Sequence, residues 1–413
     1  MDGPANLTII GENVSVVNIT GTTAHVFDVR ESGTNISRIN LTVPSGDSGI
    51  RLYDSQNCYS DVIRVNGGAS GVDFYGSGNC SLTNSIITGC SEAGIELQTR
   101  SASGHNACYN TIDNCTVLNS AETHGRGIYL QDDSHHNMIS NCTVANCYRS
   151  GIYLKTNASH NTISGNSFND SIAYYGIRTN AASHNNVTNC YMCNNSQQGL
   201  YLFAHADWNN ITGCTISNNK DDGIYLDSSN NNTLLNNTAN NNTKDGIILG
   251  HSNNNTVRKN TVLENHQHGI QLEDGSNNNV SCNWVQNSDD HGFHVGGSST
   301  GNTFKYNNIV TNGLFIETNG SYQWQFYNGL SEDINANYNY WGPNMTSEKI
   351  NASTYDSGED SSKGTVTYYP FNMSACPCAP IPEASTFFLF ACGLTLMVLI
   401  RYFYGEGVKK ARK

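Results

Sequence analysis

A four-residue phrase recurs along the chain: a glycine, a large aliphatic residue, a variable residue, then usually a second aliphatic. Copies begin at Gly49, Gly71, Gly94, Gly127, Gly151, Gly176, Gly199, Gly223, Gly246, Gly269, Gly292 and Gly313, at intervals of 21–25 residues except for one of 33 between Gly94 and Gly127. A second phrase lies between copies, as in Ile211 to Ile216 and Val257 to Val262, with apolar ends and Asn or Cys in the middle. The alternation within Gly223-Ile224-Tyr225-Leu226 has period two and is bounded by Asn, Asp and Gly, which predicts short strands joined by tight turns. A unit of about 23 residues without a helix is too short for a propeller blade and lacks the leucine-rich signature. The pattern predicts an all-β parallel β-helix solenoid, each coil stacked about 4.8 Å above the last.

Stacking turns repeat positions into columns. Ile128, Leu130, Ile152, Leu154, Ile224, Leu226, Ile247, Leu249, Ile270 and Leu272 are expected to face inward. Cys115, Cys142, Asn166, Cys190, Cys214, Asn237, Asn260, Asn283 and Asn307 form a column in which each Asn can donate to and accept from its copy. Its cysteines have two readings, stacked thiols or bridges such as Cys115 to Cys142 and Cys190 to Cys214. In the long interval the extra residues, about 98–106 and 121–125, are expected to protrude as loops.

The chain has 413 residues, of which 60 are Asn and 13% are charged, with a net charge of −13. That sign excludes a general nucleic-acid binder. The 14 cysteines lack zinc-module spacing, since Cys190 and Cys193 have no second pair near them, and no metal ligand set is assigned. The opening residues contain no apolar run long enough for a secretory leader. Near the other end no charge falls between Ala384 and Ile400, the short limit for a membrane helix, and Arg401, Lys409, Lys410, Arg412 and Lys413 follow. The 22 Asn-x-Ser/Thr sequons would allow N-glycosylation in an external compartment.

These residues resemble the right-handed parallel β-helix repeat family, particularly its carbohydrate-binding and sugar-hydrolase repeats and the NosD-like branch. The resemblance implies a single-stranded right-handed solenoid. Asn335 to Pro343 and Gly364 to Phe371 look like its closing cap, expected because an open coil exposes strand edges. NosD proteins are linked to copper delivery, but no Met or His cluster suited to copper is apparent. Pro382, Glu383, the apolar run and Arg401 resemble the tripartite signals read by exosortase and archaeosortase enzymes, although Ala384 stands where Pro or Phe is usual. The implied organisation is 1–318 β-helix repeats, 319–378 capping segment, 379–386 linker with the Pro-Glu motif, 387–404 one C-terminal transmembrane helix, and 405–413 a basic cytoplasmic tail.

Two columns carry candidate chemistry. Tyr129, Tyr153, Arg178, Tyr201 and Tyr225, with Phe203 beside Tyr201, are expected to face outward. Such rings suit packing on sugars, or they stabilise the sheet as neighbour pairs. Asp222, Asp245, His268 and His291 stack just before the repeat glycines, with Asp221, Asp290 and His266 near them. Paired carboxylates are what glycoside hydrolysis requires, and calcium is the cofactor they could hold, yet turn-forming Asp is expected at these positions without catalysis. The sequence therefore reads as a cell-surface glycoprotein with its solenoid outside, anchored through its C-terminal segment and binding an envelope polysaccharide. The alternatives are a lyase, hydrolase or epimerase acting on acidic glycans, and a NosD-like metal-handling accessory protein.

Overall fold

The computed structural model describes residues 7–382 apart from 13–17, 22–23, 45, 101–103 and 121–123. Each coil contributes three short strands, one to each of three parallel sheets of 13, 13 and 14 strands. One coil shows the plan: Asn210–Thr212 joins the first sheet, Thr215–Ser217 the second and Ile224–Asp227 the third. Each pairs in register with the coil before it, Val187 beside Ile211, Met192 beside Ile216 and Leu200 beside Ile224. The result is a right-handed β-solenoid of about 14 turns, the hand that parallel crossovers almost always take.

The core is a set of aliphatic columns running along the axis. All ten residues expected to face inward, from Ile128 to Leu272, have no exposed surface. The repeat glycine also follows from packing. A Cβ on Gly223 would sit 2.6 Å from the carbonyl oxygen of Gly246 and 2.7 Å from Asn242 Nδ2, so any side chain there would collide with the next coil.

Asparagine serves two structural purposes. In the turns, Asn189, Asn194, Asn218, Asn236 and Asn241 adopt positive φ, which Asn tolerates better than most residues. The residue after each of them often turns its side chain inward. Asn260 shows the outcome: its Oδ1 accepts from Asn237 N at 2.9 Å and Asn237 Nδ2 at 3.1 Å, while its Nδ2 donates to Leu234 O at 3.0 Å. The predicted column is thus a hydrogen-bonded ladder, and two more run beside it. One passes through Asn137, Asn161, Asn185 and Asn209, the other through Asn195, Asn219, Asn242 and Asn265.

Cys115, Cys142, Cys190 and Cys214 hold their places in the ladder as buried free thiols. Their sulfurs are taken up by carbonyl groups, as Cys214 Sγ donates to Val187 O at 3.6 Å, so the bridges considered for this column do not form. A disulfide instead joins Cys282 to Cys378, tying the closing segment to the solenoid.

Two expectations change. The phrase at Gly313 is not a coil strand: Gly313 has φ of 73°, and Leu314–Ile316 leaves the stack to pair antiparallel with Ser321–Gln323. Leu314 is accordingly 69% exposed, and Phe326–Asn328 takes the place in the third sheet. The segment after Gln98 does not simply protrude, because Arg100 pairs with Asp54 and lies over the Tyr53 ring at 4.3–4.4 Å like Arg30. In the closing segment Asn339 receives the last ladder bonds from Asn307, and Trp341 is buried beneath the final coil. Among the described residues no helix is long and apolar enough to cross a membrane. The predicted transmembrane segment, the basic tail, Glu383 and Arg401 lie outside the described residues; Pro382 is inside them.

Candidate functional site

The third sheet presents its outer face as parallel columns, because its strands are the longest and stay in register. The central column reads Asp28, Arg51, Asp73, Glu96, Tyr129, Tyr153, Arg178, Tyr201, Tyr225, Ile248, Gln271, His294, Tyr327 and Tyr355. Its chemistry divides into charged, aromatic and histidine-rich stretches.

In the aromatic stretch Tyr129 stacks on Tyr153 at 5.3 Å and 7°, while Tyr201 stacks on Tyr175 at 5.2 Å and lies beside Tyr225 at 5.2 Å. Ring faces are therefore taken by neighbouring rings. Tyr129 and Tyr153 point away from the core but are only 7% and 8% exposed, contrary to the open platform expected of them. Arg126 covers Tyr129 at 4.3 Å and Arg178 covers Tyr153 at 5.1 Å. Tyr201, Phe203 and Tyr225 remain half-buried, and the Tyr201 hydroxyl donates to Asp227 Oδ2 at 3.0 Å. The Nε atoms of Arg126 and Arg178 are buried without a hydrogen-bond partner.

The carboxylate strip is buried too, Asp222 at 5% and Asp245 at 3% exposure. Asp222 Oδ1 accepts from Asp245 N at 3.2 Å and Asp245 Oδ1 from His268 N at 2.8 Å, so each carboxylate ties one coil to the next. Burial, followed by the charge of Asp222, pushes the Asp245 carboxyl up to about 8, and burial also raises Asp222. Beyond them His268 stacks on His291 at 4.7 Å and on His294 at 4.6 Å, with Tyr327 closing the stack at 4.8 Å from His291. Burial lowers these imidazoles to about 3, 4 and 4 for His268, His291 and His294, which keeps them neutral at pH 7. Of the neighbouring residues singled out in the sequence, Asp221 pairs with Lys244 at 2.7 Å and His266 with Asp289 at 2.9 Å.

Three further groups were not singled out in the sequence. Asp73 and Glu96 occupy adjacent places in the central column, Asp73 accepting from Gln98 Nε2 at 3.0 Å and Glu96 from Ser70 Oγ at 2.6 Å. Burial and then the Glu96 charge push Asp73 up to about 7. The signal was the outward register of the tyrosine column, which extends back through both acids. His294 is the second group. The third is an exposed row at the turn before the first sheet, Tyr109, His136, His160, His184 and Trp208, with ring centroids 5.0–6.3 Å apart. Among the sequons Asn186, Asn236 and Asn279 are exposed, whereas Asn169 is 1% exposed.

The family description "Right handed beta helix region" matches residues 48–207 and 175–330, and the chain belongs to this right-handed β-helix family. Among solved structures, the A-module of an Azotobacter vinelandii mannuronan C-5 epimerase matches at 11% identity with a TM-score of 0.53, over 72% of this chain and 87% of that one. The Dettilon tailspike protein matches at 18% identity with a TM-score of 0.54, over 67% of this chain and 60% of its own. Both likenesses are of fold. No curated protein matches the sequence.

Proposed function

We propose that the protein binds an extended polysaccharide along the outer face of its third sheet without cleaving it. The observation that carries this reading is the central column, which repeats one outward group per coil across the aromatic stretch, Tyr129, Tyr153, Arg178, Tyr201 and Tyr225. A repeating polymer meets a repeating surface, so weak contacts add through effective concentration. The stacking changes which atoms make the contact. Tyr201 and Tyr225 offer ring edges and hydroxyls and Phe203 a ring edge, Tyr129 and Tyr153 hold the row in place, and Arg126 and Arg178 supply guanidinium donors suited to an acidic sugar. The mannuronan epimerase, named for action on a polysaccharide, shares the fold, which makes a glycan partner a natural occupant of this face.

The placement of the protein is part of the same proposal. The uncharged stretch Ala384 to Ile400 and the basic tail support an anchored chain with its solenoid outside, and Pro382 with Glu383 supports recognition by a sorting enzyme. The sequons support an external glycoprotein. A NosD-like role as a metal-handling accessory rests on the repeat resemblance.

A second reading, catalysis on an acidic glycan by a lyase, hydrolase or epimerase, is favoured by the raised Asp245 carboxyl next to the neutral His268. One experiment separates the two: binding of the full chain to a polysaccharide panel, with product analysis. Changing Tyr201 and Tyr225 together to Ala is expected to weaken binding far more than either change alone, and Asp222→Asn to leave it nearly intact. Unchanged binding in the double variant would overturn the binding face. Release of oligosaccharides or epimerised product that stops in Asp222→Asn or His268→Ala would establish the enzyme.

A further inference from the structure

His268, His291 and His294 come together because two different spacings converge. His268 and His291 are paired across adjacent coils. His294 lies three residues after His291 on the same outer face, since Gly292 and Phe293 both turn inward. The Nδ1 atoms of His268 and His291 are 3.1 Å apart, and one candidate ligand nitrogen from each of the three rings lies within 4.8 Å of the others. His294 Nδ1 is buried and has no hydrogen-bond partner. That is an unusual state for a nitrogen on a polar face, because an unmet buried acceptor or donor is destabilising.

We propose that these three histidines form a binding site for a late first-row divalent ion of the Zn2+ type. Ligand nitrogens about 2.0–2.1 Å from such an ion stand roughly 3.3 Å apart in tetrahedral geometry, close to the separation already present between His268 and His291. Rotation of the His294 ring brings in the third ligand and gives its orphaned nitrogen a partner. Imidazole selects Zn2+ and its neighbours over Ca2+ and Mg2+, which take oxygen ligands. The site begins two coils beyond Tyr225 on the same sheet.

The test is Zn2+ titration of the full chain, stripped with a chelator, against a chromophoric competitor, repeated with Co2+ to read its visible ligand-field bands. One ion per chain is expected. His291→Ala and His294→Ala should each weaken binding by more than the roughly 10–100-fold that loss of an outer-sphere partner costs. His294→Gln keeps the side chain's bulk and should weaken binding equally, with the far-ultraviolet dichroism of the parent. His136→Ala and His160→Ala, in the other histidine row, should leave it unchanged. Absence of one-to-one uptake would overturn the proposal, as would uptake that survives His294→Gln or that falls equally in His136→Ala.

Discussion

Replacing Asn260 by Ala tests the ladder that explains the asparagine content. Asn260 is fully buried, and the change removes the acceptor of Asn237 N and Asn237 Nδ2 together with the donor to Leu234 O and Asn283 Oδ1. Two of these partners keep another bond: Asn237 Nδ2 still reaches Ile211 O at 2.9 Å, and Asn283 Oδ1 still accepts from the residue 260 amide at 2.9 Å. The Asn237 amide loses its ladder acceptor. An orphaned buried donor costs about 1–3 kcal/mol, and the weakened bonds around it add about 1 kcal/mol, so the expected loss is about 2–4 kcal/mol. Global denaturation of a repeat array need not be two-state, so the sharper assay is native-state hydrogen exchange at Asn237. At 1.4 kcal/mol per decade, its protection should fall roughly 30- to 1000-fold. Asn260→Cys should lose about half as much free energy, because Cys214 in the same column donates its thiol to the carbonyl of the coil before it. Protection within threefold of the parent in Asn260→Ala, or a Cys variant worse than the Ala variant, would refute the account.

The Asp73 carboxyl is raised to about 7, so its neutral form is favoured by folding. Its contribution is complete below about pH 4, where the unfolded chain also binds the proton, and is lost as pH rises through about 7, with a slope of up to roughly 1.4 kcal/mol per unit. Asp73→Asn should flatten the stability profile between those values relative to the parent, and an unchanged difference from pH 4 to 7 would reject the assignment. Ile224→Asp places an unpaired charge in a position with no exposed surface and should cost several kcal/mol, read as loss of the folded circular-dichroism signal at lower denaturant. The anchoring proposal predicts that a chain ending after Cys378 fractionates as soluble while the full chain stays with membranes; retention of the shortened chain in the membrane fraction would reject it.

The sequence exposes those features that packing imposes on every coil. Ile224 and Leu226 recur because a stacked core admits the same shape at the same place, and Gly223 recurs because Asn242 and the Gly246 carbonyl leave no room for a Cβ. The two additional ladders were written less plainly. In pairs such as Asn218-Asn219 and Asn241-Asn242 the first residue takes the left-handed turn and the second enters the ladder, so composition alone does not separate the roles. Gly313 shows the limit of a motif: the phrase is intact, but the backbone there turns the following strand out of the stack. Burial of Tyr129 and Tyr153 was hidden for another reason, since it depends on Arg126, Arg178 and neighbouring rings brought over them by folding.

The convergence of the three histidines has a related cause. Strict alternation puts residues 291 and 293 on one face, yet Phe293 is buried in the core and His294 faces outward with His291. The repeat glycine breaks the period: it faces the side chains of the second sheet, and the aliphatic after it faces the core as well. Each third-sheet strand therefore presents the residue before the glycine and the second residue after it on its outer face, three positions apart. These two places escape the constraint that fixes the interior, so their identities can change from coil to coil without disturbing the stack. They hold Ala93 with Glu96, Arg126 with Tyr129, Asp222 with Tyr225, and His291 with His294. The chemistry a β-solenoid of this kind displays is thus written in pairs around its glycines, and the pair at Gly292 is the one that supplies two imidazoles at once.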